Sequence, residues 1–215
     1  RLDAAAAYGL DRSVAVRRML TGEFSTAGQQ LVANVDSAMR LSEAFASALR
    51  DEYFKDCVLD ALEFGVSRAR ARYGNRYRDT DFVLYEKYSL EEICKLLRWE
   101  EEPKAYINIS GYRFDRSTNT FPVFVNYDKS PNISVTTRYE DRFISRTCFI
   151  AISKSRRTLE SPEIKRLMNW RENGIRVYLF VRKNKDDGDG AKEFYFLGQM
   201  HPTGEFEQVV MGDGK

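Results

Sequence analysis

The chain has one histidine, three cysteines and five prolines in 215 residues, and none of its apolar runs approaches the roughly 18 residues that a membrane helix needs. With His201 alone, multi-histidine metal centres are excluded, and any Ser-His-Asp or Cys-His arrangement depends on that one side chain. Standing before Pro202, His201 reads as a turn residue. Cys57, Cys94 and Cys148 are odd in number, far apart and never in a Cys-x-x-Cys pair. That argues against a disulfide framework and against a cysteine zinc site, and it suits a reducing cytoplasm. The opening Arg1-Leu2-Asp3 is neither a signal peptide nor a natural start, so the chain reads as a piece of something longer.

What is present is enough for one large domain or two small ones. At 43% hydrophobic, the chain can bury a substantial core. The formal net charge of +2 hides an uneven distribution: residues 136–183 hold 12 basic and 5 acidic side chains, a balance of +7, while residues 184–215 hold 3 and 7, a balance of −4. A local positive field of this kind favours a polyanionic partner, unless the acidic tail balances it in space.

The first 80 residues carry helical periodicity. Asp36 is a candidate cap for a helix whose apolar positions Ala38, Leu41, Phe45 and Ala48 advance by three and four. A second helix is predicted from about Asp56 to Tyr73, with Leu59, Leu62, Val66 and Ala69 on its stripe and Gly74 as a left-handed terminator. A shorter one runs from Asp11 to Leu20, closed by Gly22. Together they predict a helical bundle over residues 1–80. The arginines at 68, 70, 72, 76 and 78 spread around the helix at this spacing, which makes them a solvated surface before a nucleic-acid site.

From Tyr85 the pattern changes. Ser89-Leu-Glu-Glu92 is a capping box that starts a short helix carrying Leu90, Ile93, Cys94 and Leu97. Beyond Trp99, strands are predicted at 107–114 and 120–127, joined as a hairpin through the turn-rich 115–119, and then at 148–153, 175–182, 193–198 and 206–211. One more helix starts at the N-cap Ser161 with Pro162 in its first position and closes at Gly174. The fold class is α+β: a bundle over 1–80 followed, over 82–215, by a curled, mainly antiparallel, barrel-like sheet.

Four motifs carry candidate chemistry. Asp186-Asp-Gly-Asp-Gly190 has carboxylates and glycines but lacks the spacing and terminal Glu of a calcium loop, so it reads as a hairpin tip. Glu163-Ile-Lys165 has the Glu-x-Lys spacing of metal-dependent nucleases, although those motifs sit on strands and this one opens a helix. Lys154-Ser-Arg-Arg-Thr158 combines cations, hydroxyls and a following helix N-terminus, the groups that bind phosphate. The competing reading is a loop whose arginines pair with Glu160 and Glu163. Arg138-Tyr-Glu-Asp-Arg-Phe143 interleaves aromatics, carboxylates and cations as a pocket for an extruded base requires, and equally describes an edge strand with Tyr139 and Phe143 in a core. Glu140 and Asp141 point to opposite faces of such a strand, which weakens any paired-carboxylate mechanism.

The run Arg138–Phe143, together with Tyr85-Glu-Lys-Tyr-Ser89, Ile109-Ser-Gly-Tyr-Arg-Phe114, Thr118-Asn-Thr-Phe-Pro-Val123 and Ser153 to Ser161, resembles a C-terminal domain of uncharacterised function. It is attached to bacterial DEAD/DEAH-type helicases, often behind a phospholipase-D-like nuclease domain. The resemblance spans about residues 82–211 and makes residues 1–80 the connector that follows the motor. It implies a parent protein that uses ATP and magnesium, of a kind that includes modification-dependent restriction enzymes, whose terminal domain is thought to read methylated cytosine through an SRA- or PUA-like barrel. The chain itself has no Gly-x-x-x-x-Gly-Lys-Ser/Thr loop and no His-x-Lys pair, so neither ATP hydrolysis nor DNA cleavage is expected of it, and no cofactor.

The functional expectation is therefore a cytoplasmic DNA-reading module that meets no membrane, its partners being DNA, with or without cytosine modification, and the helicase and nuclease domains of its parent. Arg138, Lys154, Ser155, Arg156, Arg157, Thr158 and Arg166 are assigned to the DNA backbone. Tyr112, Tyr139, Asp141 and Phe143 form the base pocket: Tyr139 and Tyr112 stack, and Asp141 accepts the amine hydrogen bond, with Glu140 or Asp115 as substitutes. The alternatives are an interaction or regulatory domain for the motor and, third, a cryptic metal-dependent nuclease around Glu163 and Lys165.

Overall fold

The computed structural model describes residues 17–24, 30–35, 38–103, 111–127, 142–154, 157–183 and 192–207. The chain forms two compact units, one of residues Arg1–Val83 with Ile93–Pro103, the other of Leu84–Glu92 with Lys104–Lys215.

In the first unit, Arg17 to Leu20 are helical and Gly22 follows in the left-handed region at φ 75°. Residues 38–41 depart from the predicted helix and form β2 (Ala38–Leu41), paired antiparallel with β1 (Val32–Val35). The three-and-four spacing begins to act only after Ser42, whose hydroxyl accepts from the Phe45 N–H at 3.3 Å and opens α1 (Glu43–Ala48). Asp36 lies outside the described residues. Asp51 caps α2 (Glu52–Tyr73) in the same way, accepting from Phe54 N–H at 2.8 Å. Gly74 ends α2 at φ −59°, right-handed and not left-handed as predicted. None of the residues of α1 or α2 is buried, and Leu59, Leu62 and Val66 are exposed, so a packed bundle is not what the described residues form. Among the described residues of this unit the buried side chains include Phe24, Phe82, Ile93, Cys94, Leu97 and Trp99, and Asp81 receives both Arg98 at 3.0 Å and Arg76 at 3.2 Å.

The second unit is built on a curled four-stranded sheet in the order β3 (Lys87–Tyr88), β8 (Phe194–Met200), β7 (Arg176–Arg182), β4 (Thr120–Asn126). The capping box closes reciprocally: Ser89 N–H donates to Glu92 at 2.9 Å, and Glu92 N–H donates to Ser89 Oγ at 3.2 Å. It starts α3 (Leu90–Leu96), within which the boundary between the units falls. The hairpin predicted on either side of 115–119 is present in part. Tyr112 and Asp115 bridge to Val123 and Thr120, and Asp115 closes the turn by accepting from Ser117 Oγ, Thr118 N–H and Thr118 Oγ1 at 2.7–2.9 Å.

The sheet is mixed, where a mainly antiparallel one was predicted. β7 pairs antiparallel with β8, and β8 with β3, but β4 lies parallel to β7 over seven rungs. The physical reason is burial on two faces: Phe121, Val123 and Val125 with Val177, Leu179 and Val181 fill one side, while Phe124 stacks on Phe180, which in turn meets Phe196, on the other. Strands buried on both faces read as unbroken apolar runs, and such runs suit parallel pairing. A bulge between Leu179 and Phe180 opposite Gly198, at φ 104°, lets Phe194 and Phe196 share a face with Phe180.

A small hairpin of β5 (Arg142–Phe143) and β6 (Phe149–Ile150) precedes α4 (Pro162–Met168), whose Ile164 is buried against the first face of the sheet. α4 ends at Met168, six positions before the predicted stop at Gly174, which is left-handed at φ 61°. Residues 206 and 207 form no strand, and the rest of the strand predicted at 206–211 lies outside the described residues.

Candidate functional site

The foundation of the site is the extended arm 111–115. Alternate residues of an extended segment share a face, and Tyr112 and Phe114 both settle on Phe121, at 5.2 Å and 6.3 Å between ring centroids. Phe121 is fully buried and Tyr112 is 8% exposed, so this aromatic floor is part of the core.

Two cations lie on that floor. Lys154 places its ammonium 4.9 Å from the Tyr112 ring centre, and Arg166, from α4, places its guanidinium 5.0 Å from the Phe114 ring centre. Each contact adds the attraction of a cation for a ring face, worth about 0.5–1 kcal/mol where solvent reaches it. Gly111, at φ 83°, takes a left-handed conformation beside the Lys154 stem at the start of the arm. Arg157 joins them and is ion-paired with Glu163 at the start of α4.

The electrostatics are those of crowded positive charge. Burial pushes the Lys154 amine down from the usual lysine range, and Arg157 and Arg113 push it further, with Glu163 acting in the opposite sense. Glu163 is held below the usual carboxylate range by its own backbone N–H and then by Arg157. Burial raises the Tyr112 phenol. Its hydroxyl is fully enclosed and makes no hydrogen bond of ordinary geometry, although the Lys154 backbone and the Arg157 guanidinium are its neighbours.

Of the residues assigned to a DNA backbone, Lys154, Arg157 and Arg166 come together around Tyr112 and Phe114. Thr158 is engaged locally: its N–H donates to Ser161 Oγ at 3.0 Å and its hydroxyl accepts from Glu160 N–H at 3.3 Å. The Ser161 hydroxyl makes no capping bond to α4, and the helix has only seven residues, which leaves little of the helix-terminus contribution expected there. Arg138, Ser155 and Arg156 lie outside the described residues.

Of the base pocket, Tyr139, Asp141 and the substitute Glu140 also lie outside them. Tyr112 is a core residue carrying Lys154 and is not free to stack on a base. Asp115 is consumed by its turn. Phe143 stands on the β5–β6 hairpin, half exposed, its ring 4.9 Å from Phe149. Glu163 and Lys165 take different partners, Glu163 pairing with Arg157 and Lys165 with Glu160. Among the described residues, no group of three His, Cys, Asp or Glu side chains is placed to hold a metal ion, and Asp186 to Gly190 lie outside them. No helix of the described residues is long and apolar enough to cross a membrane.

Sequence reasoning missed the action of Arg113 on Lys154 and the role of Phe121. The signal for Arg113 was its place between two aromatics of an extended arm. It also read His201 as a turn residue alone, whereas its ring stacks on Trp170 at 4.9 Å, with Trp170 Nε1 donating to the Pro202 carbonyl at 3.2 Å.

A family model described as a domain of unknown function (DUF3427) matches residues 82–215. No curated protein and no solved structure matches the chain.

Proposed function

Through residues 82–215 the chain belongs to the DUF3427 family, a domain of unknown function, and from that premise we propose that it is a DNA-recognition module. The observation that supports this is the convergence of Lys154, Arg157 and Arg166 over one aromatic floor, inside the segment that holds the +7 charge balance. Cations fixed on a rigid base lose little entropy on meeting phosphates, and phosphate contacts set register and orientation on nucleic acid.

The finer reading follows the resemblance to helicase-attached C-terminal domains. The module serves a cytoplasmic restriction or defence protein with its own ATP- and magnesium-dependent motor, and its curled sheet is a PUA- or SRA-like barrel. It flips a modified cytosine, with Tyr139 stacking and Asp141 accepting the amine. Phe143, exposed on its hairpin, is the remaining aromatic for that pocket, and Tyr112 is withdrawn from it. A second reading, a docking domain for the motor, is favoured by the exposed Leu59, Leu62 and Val66 of α2.

Binding of the chain to plain and cytosine-methylated duplexes over a range of salt tests the first reading. Affinity is expected to fall with salt with a log–log slope of about −0.9 per phosphate contact. Lys154→Ala and Arg166→Ala should each weaken binding to all sequences alike and reduce that slope by about 1. Salt-independent binding, or none, removes the reading.

A further inference from the structure

One polar group of the cationic cluster is buried without a hydrogen bond of ordinary geometry. The Tyr112 hydroxyl belongs to a side chain more than nine-tenths buried, and neither the Lys154 backbone nor the Arg157 guanidinium beside it gives it a hydrogen bond of ordinary geometry. A buried hydroxyl in that state costs free energy, and phenylalanine at this position would avoid the cost. Around it stand the Arg157 guanidinium, the carboxylate of Glu163 and the Lys154 chain, all close enough to act on the phenol electrostatically or as hydrogen-bonding neighbours. Arg157 is occupied by Glu163, a carboxylate from the first turn of the adjoining helix.

We infer that Lys154, Arg157 and the Tyr112 hydroxyl form a subsite for a phosphate group, and that Glu163 occupies Arg157 as an internal competitor which the phosphate displaces. The inference rests on the DNA-recognition reading and names the regulation of that same surface. A carboxylate and a phosphate compete for a guanidinium because both offer paired oxygens to its planar fork. They differ in what remains: Glu163 spends its oxygens on Arg157 and its own backbone N–H, whereas a phosphate has further oxygens for an ammonium and a hydroxyl. The orphaned Tyr112 hydroxyl is then the group that the carboxylate leaves unused and the phosphate takes up. Positive charge in excess of Glu163, from Lys154, Arg157 and Arg113 together, favours the more highly charged anion. A terminal phosphate of a strand and free inorganic phosphate share this chemistry.

The test compares the wild-type chain, Glu163→Gln, Tyr112→Phe and the double variant against three probes: a 5′-phosphorylated oligonucleotide, the same oligonucleotide with a 5′-hydroxyl, and inorganic phosphate. Glu163→Gln is expected to bind phosphate-bearing probes about tenfold tighter, since a charge-assisted contact no longer has to be broken. Tyr112→Phe should weaken them several-fold in both backgrounds while its melting temperature stays equal or rises. A merely structural Tyr112 would give the opposite pattern, a lower melting temperature with unchanged affinity per folded molecule. Preference for the 5′-phosphorylated strand over its hydroxyl twin assigns the subsite to strand ends, and binding of inorganic phosphate without that preference assigns it to free phosphate. If DNA binds with the expected salt slope but neither substitution alters affinity, this inference fails and the DNA reading stands. If inorganic phosphate binds and responds to both substitutions while DNA does not bind, the subsite stands and the DNA reading fails.

Discussion

Glu163 shows how one side chain can be legible in sequence for one purpose and used for another. Its spacing from Lys165 suggested nuclease chemistry, yet the adjacent alternative, a partner for the arginines of the loop, is the one realised with Arg157. The reason is geometric: on a helix, residues two apart face apart, so Glu163 and Lys165 take different partners. A pH consequence follows. The Glu163 carboxyl is held below its ordinary value of 4.5 by its own N–H and by Arg157, so its contribution to stability is complete above that value and is lost as pH falls through the lower, folded one. Glu163→Gln should therefore lose less stability than the wild type between neutral pH and about pH 3, as read by urea denaturation at each pH. An equal loss in both chains would show that the group does not titrate with folding.

Elements whose ends carry their own chemistry were the ones readable from sequence. The Ser89–Glu92 box, Pro162 after Ser161 and the apolar runs of β7 and β8 all sit where local patterning put them. Strand partners were not readable, because pairing is decided by which residues meet at long range. The parallel β4–β7 ladder left only an indirect trace, the unbroken apolar character of Phe121 to Val125 and Val177 to Val181. Residues 38–41 misled for a different reason: Ala38 and Leu41 fit helical spacing by chance, while pairing with Val32–Val35 decided the outcome. As for the site, the cations of Lys154 to Arg157 were legible, but the floor beneath them was not, since Tyr112 as a stacker and Tyr112 as core have the same sequence. The capping box also supplies a test at this scale. Ser89→Ala should cost about 1 kcal/mol, visible as a lower denaturation midpoint with an unchanged slope. An unchanged midpoint would mean that α3 starts without help from Ser89.

At the scale of the molecule, the chain crosses between its two units more than once: it enters the sheet unit at Leu84, leaves at Ile93 and returns at Lys104. The short first visit supplies β3, which covers the outer side of β8, supported by Tyr85 N–H to Phe196 O at 2.8 Å and Phe196 N–H to Glu86 O at 3.0 Å. A chain starting at Lys104 would lack this cover and open the edge of β8 at Phe194–Phe196, which invites pairing with other copies. Such a chain should elute as soluble aggregate in size-exclusion chromatography, while one starting at Phe82 should not. A monodisperse Lys104 chain would show that β3 is dispensable.

The parallel ladder also has a history in time. Asn126 and Arg182, like every pair of residues along it, stand 56 positions apart. At about 5–20 residues per second of synthesis, β4 leaves the ribosome roughly 3–11 seconds before its partner exists. During that interval the 111–115 arm, which bridges Val123 and Thr120 and stacks Tyr112 on Phe121, is already available to β4. The Tyr112–Phe121 stack is therefore the natural holdfast of a nascent chain, keeping an apolar strand occupied until β7 arrives.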